Sequence, residues 1–473
     1  MEQVTSRHPR PGHRPQARIP GRGLIPLLLG LVSCLSLAGD LGERLYFEGS
    51  QRATAYIGAQ GFPVPASAVP CASCHGEDGL GRPEGGVRPS PITWRALTRP
   101  YAVTTATGRR RPPYTEATLA RAITQGIDPA GHPLDPAMPR FSLSQAELNA
   151  LIAFLKRIEE RREPGVGSDT LRLGTVLPQG KTGDRVEAVL RAFFEEKNVH
   201  GIYGRRLELH AKRIAHPSEV QAAVRDLAGK AFILIAPYLT GAEEAALAEV
   251  KRLNLPLVTP FAHFTPEHGE AFFLLSGWGI QTQALVKAAS PPLFVIPSEG
   301  REAQAALDEA KKLGLPLAQN LQEASAVLFL ERGLPLDLPI RTRLLLLGEQ
   351  AGSSLFRLPK DRVERVLVAY PFLPSDGTPE GKEAFHAFLR RHELPRDLAG
   401  RLAYATAKVV EAGLEGAGRT LTRRRFKEAL ERLHRFETGV TPPLTFKGRH
   451  IGAYGAYVTI FGPRALQAHW VVP

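Results

Sequence analysis

The pentapeptide Cys71-Ala72-Ser73-Cys74-His75 sets the tightest limit on this chain. Two thiols three positions apart can both form thioether bonds to one edge of a porphyrin, and the imidazole that follows then lies under the iron as proximal ligand. Three cysteines in 473 residues leave little room for a chance match. A structural or zinc-binding cysteine pair is the alternative, but tetrahedral zinc needs a second Cys/His pair and the sequence has no obvious one. The motif therefore predicts one covalently attached haem c.

The other axial ligand can be sought by elimination. Apart from the initiator, the chain contains one methionine, Met138. It lies in the proline-bracketed stretch Asp135-Pro136-Ala137-Met138-Pro139-Arg140-Phe141, just before a strong helix signal. Ser144 and Glu147 have capping-box spacing, with Leu143 and Leu148 placed as a hydrophobic staple. Leu148, Leu151, Ile152, Leu155 and Ile158 then recur at helical intervals. Met138 as a gap-filling side chain is the other reading, although such a loop is an odd place for a core methionine. His132 is the reserve ligand.

A loop that projects a thioether and leads into a C-terminal helix resembles the small class I cytochromes c. Gly42 to Gly49 looks like their first helix, which packs against the last. Cys74-His75-Gly76-Glu77-Asp78-Gly79 resembles their continuation after the haem motif, and Leu119 to Gly126 their middle helix. The resemblance covers residues 40–160, a normal size for one domain. It implies an all-α haem domain that carries electrons to or from a redox partner protein. The Pro-, Gly- and Arg-rich stretch from Pro83 to Pro113 departs from the compact members and reads as an inserted loop, a place for a partner surface. Its Arg109-Arg110-Arg111 run reads as a solvated face.

Residues 1–39 read as an export signal: an arginine-rich tail, then the apolar run Leu24 to Ala38. At 15 residues, broken by Pro26, Gly30, Ser33 and Ser36, that run is short for a spanning helix. Leu31-Val32-Ser33-Cys34 matches a lipobox, which would make Cys34 the lipidated N-terminus. Cleavage after Ala38 and an uncleaved anchor are the rivals. All three place the body of the protein outside the cytoplasm, where haem is also attached covalently in bacteria. Lipidation, ranked first, and the anchor also fix it to the membrane.

No thiol is then left for a disulfide, and a chain of this length builds cores that need no such staple. Net charge is +13, of which the first 23 residues carry +4 (five Arg, one Glu), so the remainder is near +9. That balance favours an acidic redox partner or an anionic surface. No basic motif interleaved with aromatics argues for nucleic acid.

After a linker at 161–170 the pattern changes. Leu171 to Leu177, Arg206 to His210, Ala231 to Ala236, Pro256 to Thr259 and Leu293 to Ile296 read as short strands. Helical stretches at Val186 to Lys197, Val220 to Leu227, Ala242 to Leu253 and Thr282 to Ala289 alternate with them. Strands apolar throughout, such as Ala231 to Ala236, suit a parallel sheet covered on both faces. The rhythm predicts a doubly wound α/β architecture for residues 171–473.

Order and punctuation there resemble the type I periplasmic binding proteins, the branched-chain amino-acid-binding receptors of ABC importers. Leu171 to Leu177 runs into a polar Gly180-Lys181-Thr182-Gly183 loop, and Ile235 to Gly241 stands where the family has a Gly/Pro turn and a hydroxyl. Tyr404 to Ala412 and Leu421 to Leu430 look like its closing helices, and Phe446 to His450 like its late strand and turn. The resemblance implies two lobes that close on a small polar solute and an ABC permease as partner. Thr240 and Thr259 are candidates for a ligand carboxylate, Thr182 a poorer one, and Glu299 or Glu349 for an ammonium group. The Pro297-Ser298-Glu299-Gly300 turn departs from the family, which leaves open a different ligand or a scaffold that binds none.

No catalytic constellation is evident. The histidines beyond residue 160 are scattered, and His263 and His268 lack metalloprotease spacing. The expected function is an exported, membrane-tethered haem protein that transfers electrons and is coupled to a solute- or partner-binding domain. An ABC substrate-binding protein with an ancillary haem domain is the alternative. A peroxidase-like enzyme would gain only if Met138 were not a ligand.

Overall fold

A computed structural model describes the chain from residue 41 onward, apart from 82–86, 88, 106–107, 161–162, 260–261, 267–268, 335–338, 340, 360 and 462–467. Cys34 and the apolar run Leu24 to Ala38 lie outside the described residues. No described helix is long and apolar enough to cross a membrane. The chain divides between Arg161 and Arg162 into two compact units.

The first unit contains helices α1 (residues 41–48), α2 (Cys71–His75), α3 (Trp94–Leu97), α4 (Glu116–Gln125) and α5 (Gln145–Arg157). α5 starts where its capping box directs: Ser144 Oγ accepts from Glu147 N at 3.3 Å, and Glu147 Oε2 accepts from Ser144 N at 2.9 Å. Leu143 and Leu148 both join the core, as a staple should. α4 is capped by Thr115 and Thr118 and stops at Gly126, whose φ of 67° is left-handed. α1 packs against α5 at Gly42, where a Cβ would lie 2.1 Å from the Ala150 carbonyl oxygen, so a larger residue would force the helices apart. Rings of Tyr46, Phe47 and Phe154 meet at 5.0 to 6.0 Å and lock that contact.

The helical expectation for this unit gains a small antiparallel sheet of strands β1 (Thr54–Ile57), β2 (Phe62–Pro65) and, after a two-stranded hairpin β3 (Val103–Thr104) and β4 (Arg110–Arg111), β5 (Arg140–Ser142). β1 is central, pairing Ala55 with Phe141. These strands are three or four residues long, too short for a period-2 signal to stand out in the sequence.

The second unit is two α/β lobes. Its first sheet has the order β15-β10-β9-β8-β6-β7, every neighbour parallel. These are β6 (Thr170–Pro178), β7 (Arg206–Ile214), β8 (Leu234–Ile235), β9 (Leu257–Thr259), β10 (Ala271–Leu275) and β15 (Ile451–Ala453). The second sheet, order β11-β12-β13-β14-β16-β17, uses β11 (Leu293–Ile296), β12 (Ala326–Phe329), β13 (Arg343–Leu347), β14 (Val366–Tyr370), β16 (Ala456–Ile460) and β17 (His469–Val471). Its first four strands are parallel and the last two antiparallel. Residues 231–236 are almost fully buried, which explains their uninterrupted apolar run.

Helices α6 (Lys181–Lys197), α7 (Val220–Ala228) and α8 (Glu243–Arg252) belong to the first lobe. α9 (Trp278–Lys287), α10 (Arg301–Lys312) and the one-turn α11 (Gly348–Ala351) belong to the second. α12 (Pro379–Arg391), α13 (Leu398–Ala417) and α14 (Arg423–Glu431) return to the first lobe's core. The chain therefore crosses between lobes three times: after β10, after β14 and between β15 and β16. Lys181 to Gly183, expected as a loop, form the first turn of α6. The stretch expected as a linker is packed in: Val166 is 8% exposed within this unit's core, and Glu163 Oε1 accepts from Arg423 N at 3.1 Å.

Candidate functional site

α2 starts at Cys71, after the extended Pro70, and ends one turn later at Gly76. One helical turn puts positions three apart on one side, so Cys71 and Cys74 border the same cavity, as does His75. The cavity measures about 350 Å³, within the range of cofactor pockets. Leu97, Leu119, Ile123, Phe141, Leu151 and Leu155 give it apolar walls, and Met138 also lines it.

His75 is 7% exposed, and its Nδ1 lies 3.0 Å from the Ser90 carbonyl oxygen. A carbonyl can only accept, so Nδ1–H donates and Nε2 keeps its lone pair. Burial pushes the imidazole's pKa down, opposed in part by the bond to Ser90, and neutral imidazole is the form that ligates metal. The Cys71 thiol is pushed up to about 12, mainly by burial. Among the described residues no group of three or more His, Cys, Asp or Glu side chains converges as a metal site.

Met138 is held by its own loop. Its N–H donates to the Asp135 carbonyl at 2.9 Å, and Asp135 Oδ1 accepts from Ala137 N at 2.9 Å. The Arg140 guanidinium donates to the carbonyls of Met138, Leu134 (3.1 Å) and Asp135 (3.3 Å), closing the loop from behind. His132 is on a different footing. Its side chain is 58% exposed, its Nδ1 is 3.8 Å from Asp128 Oδ2, and it does not border the cavity.

The arginine run is corrected by the structure. Arg110 is exposed, but Arg109 and Arg111 border the cavity. Arg111 is 5% exposed and donates to the carbonyls of Leu97 (3.1 Å), Pro112 (3.1 Å) and Ala96 (3.3 Å), with its guanidinium 4.5 Å from the Tyr114 ring centre. Arg109 Nη1 is 3.1 Å from Oδ2 of the fully buried Asp128. The hairpin β3–β4 alternates sides along each strand, so neighbouring arginines part company.

In the second unit, Thr240 and Thr259 follow or end β8 and β9, while Glu299 and Glu349 follow β11 and β13. All four therefore sit at carboxyl ends of parallel strands, two per lobe, where open α/β sheets place ligands. Their surroundings differ. Thr259 is fully buried, and its hydroxyl donates to the Pro237 carbonyl at 3.4 Å. Thr240 is half-buried in the turn before α8, and Glu299 and Thr182 are exposed. Glu349 reaches the other lobe at His263, whose Nε2 donates to Oε1, while its Oε2 accepts from Nε1 of Trp278 in its own lobe, both at 3.1 Å. Sequence reasoning passed over His263 as one of several scattered histidines, because its partners lie up to 86 residues away.

Comparison with known proteins separates the two units. Residues 66–159 match the cytochrome c family model. The first unit carries a cytochrome c domain. No curated protein matches the chain by sequence. Among solved structures, a fatty acid ABC transporter substrate-binding protein from Thermomonospora curvata is similar at 16% identity and TM-score 0.49, covering 66% of this chain and 94% of that one. A leucine-binding protein from Thermotoga maritima is similar at 14% and 0.48, over 64% and 99%. A branched-chain amino acid transporter substrate-binding protein from Streptococcus pneumoniae, in complex with isoleucine, gives 16% and 0.47, over 64% and 100%. The two-lobed α/β fold following the cytochrome c domain rests on the strand order and lobe crossings described above.

Proposed function

We propose that this protein is an exported, membrane-tethered electron carrier in which one covalently held haem is joined to a solute- or partner-binding domain. Cys71 and Cys74 would supply the two thioether bonds, and His75 and Met138 the axial ligands. The observation that carries the reading is the cavity itself. Two thiols, a buried imidazole with one nitrogen already committed to Ser90, and a clamped thioether all border one apolar space. Haem bound there supplies a one-electron couple.

The chain's own residues prepare that site. The Ser90 carbonyl fixes the tautomer and orientation of His75 and raises its basicity. The clamp from Arg140 holds Met138 at the cavity, and the apolar walls exclude water. Arg109 and Arg111 bring positive charge to the wall, suited to the carboxylates of a porphyrin. Membrane attachment through lipidated Cys34, the redox partner, and a small polar solute delivered with an ABC permease complete the proposal. Covalent haem and the two-lobed fold, taken together, support an extracytoplasmic setting.

The test is an absorption spectrum of protein matured in a haem-c-attaching host, oxidised and reduced, beside Met138→Ala. The expected result is a low-spin reduced spectrum and a weak far-red thioether band that the substitution abolishes. A high-spin iron that takes up small ligands in the unmutated protein would overturn electron carriage in favour of catalysis or gas binding.

A further inference from the structure

We propose that His263 and Trp278 form a receptor for a small carboxylic acid, and that Glu349 is its tethered resident. The inference rests on the solute-binding half of the reading above and assigns that site its ligand chemistry. His263 lies in the loop between β9 and β10 of the first lobe, Trp278 at the head of α9, and Glu349 on α11 of the second lobe. The imidazole and indole stack with centroids 3.7 Å apart and planes 19° from parallel. Backbone geometry holds them there: Trp278 N donates to the His263 carbonyl at 2.9 Å, and Gly277 N to Thr265 Oγ1 at 2.9 Å. A Cβ on Gly277 would fall 2.4 Å from the His263 carbonyl oxygen, so this close approach needs glycine.

Stacking brings the two ring N–H groups to one rim, where each donates to a different oxygen of the Glu349 carboxylate at 3.1 Å. Two donors matched to the two oxygens of one carboxylate are a recognition geometry. The imidazole is steadied from its far side, where Nδ1 lies 3.5 Å from Glu243 Oε1. Glu243 in turn accepts from Gly241 N at 2.9 Å and from His263 N at 3.4 Å. Arg301, at the head of α10, makes a second contact between the lobes, with its guanidinium 3.8 Å from the Phe264 ring centre and paired with Glu244.

The resident is not sealed in. The Glu349 side chain is 57% exposed, whereas that of His263 is 22% exposed, so solvent reaches the carboxylate that plugs the receptor. A free carboxylic acid competes with an occupant tethered to the same chain, whose effective concentration is on the order of millimolar or above. A simple acid therefore binds the natural protein weakly, and a solute succeeds only by adding contacts to other groups of the two lobes. Removing the tethered carboxylate should expose the receptor to the simplest acid.

The experiment titrates full-length, haem-loaded protein with sodium propionate by calorimetry, with circular dichroism and melting temperature confirming the fold of each variant. Glu349→Ala should bind propionate at least about tenfold more tightly than the unmutated protein, and His263→Ala in the same background should lose that gain. Glu349→Gln, which keeps the shape but not the charge, should fall between and carries the test if the alanine variant does not fold. Equal binding by the unmutated protein and Glu349→Ala overturns the receptor. A gain that survives His263→Ala also overturns it, while leaving solute binding elsewhere in the domain intact.

Discussion

Two histidines in this molecule are prepared in different ways, and the contrast separates its two units. His75 lies four residues from Cys71 in one helical turn, buried to 7% exposure, with Nδ1 given to a backbone carbonyl. His263 lies between two carboxylates from distant parts of the chain, Glu243 and Glu349, at a solvent-reached rim. The first is a site whose thiols and imidazole are contiguous and whose imidazole is buried. The second is a site assembled by tertiary structure and plugged by the chain itself. A contiguous site can be found by spacing alone, whereas an assembled one is invisible until the lobes are built.

The largest effect should come from the contiguous site. Replacing Cys71 and Cys74 together with alanine should remove covalent haem, so that haem stain after denaturing electrophoresis falls to background. The melting of the two-lobed unit, followed separately by scanning calorimetry, should hardly change. A matching loss of stability in the second unit would break the separation drawn above.

A smaller effect tests how deeply the cavity wall depends on tertiary placement. Arg111→Met leaves the Leu97 carbonyl with Tyr114 N alone and removes the guanidinium from those of Ala96 and Pro112, and should cost roughly 2–4 kcal/mol of the first unit's stability. Arg110→Met, one position away on the exposed side, should stay within about 0.5 kcal/mol. Denaturant midpoints compare the two directly. Equal costs would mean that the arginine run behaves as the solvated face the sequence alone suggests.

The smallest effect lies at the interlobe contact. Partial burial would raise the Glu349 carboxyl above its ordinary 4.5, but the hydrogen bond and charge of His263, with the bond from Trp278, hold it below that value. A carboxyl depressed in the folded state contributes stability above its unfolded value and loses it as pH falls through the depressed one. The contact should therefore stabilise the second unit fully above pH 4.5 and progressively less below it. Because the side chain is 57% exposed, the whole contribution should be under about 1 kcal/mol. The difference in melting temperature between the unmutated protein and Glu349→Gln, followed against pH, measures it.

Much of this was legible in the sequence, for identifiable reasons. The cap of α5 is written in Ser144 and Glu147, and its buried face in Leu148, Leu151, Ile152 and Leu155, because helix periodicity and capping are local. The parallel sheet announced itself through residues 231–236, which are apolar throughout because both faces are covered. The small sheet of β1, β2 and β5 did not, since its strands are too short for alternation to register. Arg109 and Arg111 read as surface charge because composition cannot show which side of a two-residue strand faces inward.

The same division holds for the sites. By itself the sequence determined the Cys71/Cys74/His75 spacing, singled out Met138 by elimination, and set the two-part architecture, because each depends on identity and short-range order. Only the tertiary structure decided that Ser90 commits one nitrogen of His75, that Arg140 clamps the Met138 loop, and that Glu349 meets Trp278 and, across the lobes, His263. Those contacts join residues separated by as few as two and as many as 86 positions. Hydrogen bonds need atoms within about 3 Å in a definite direction, and only the folded backbone supplies both.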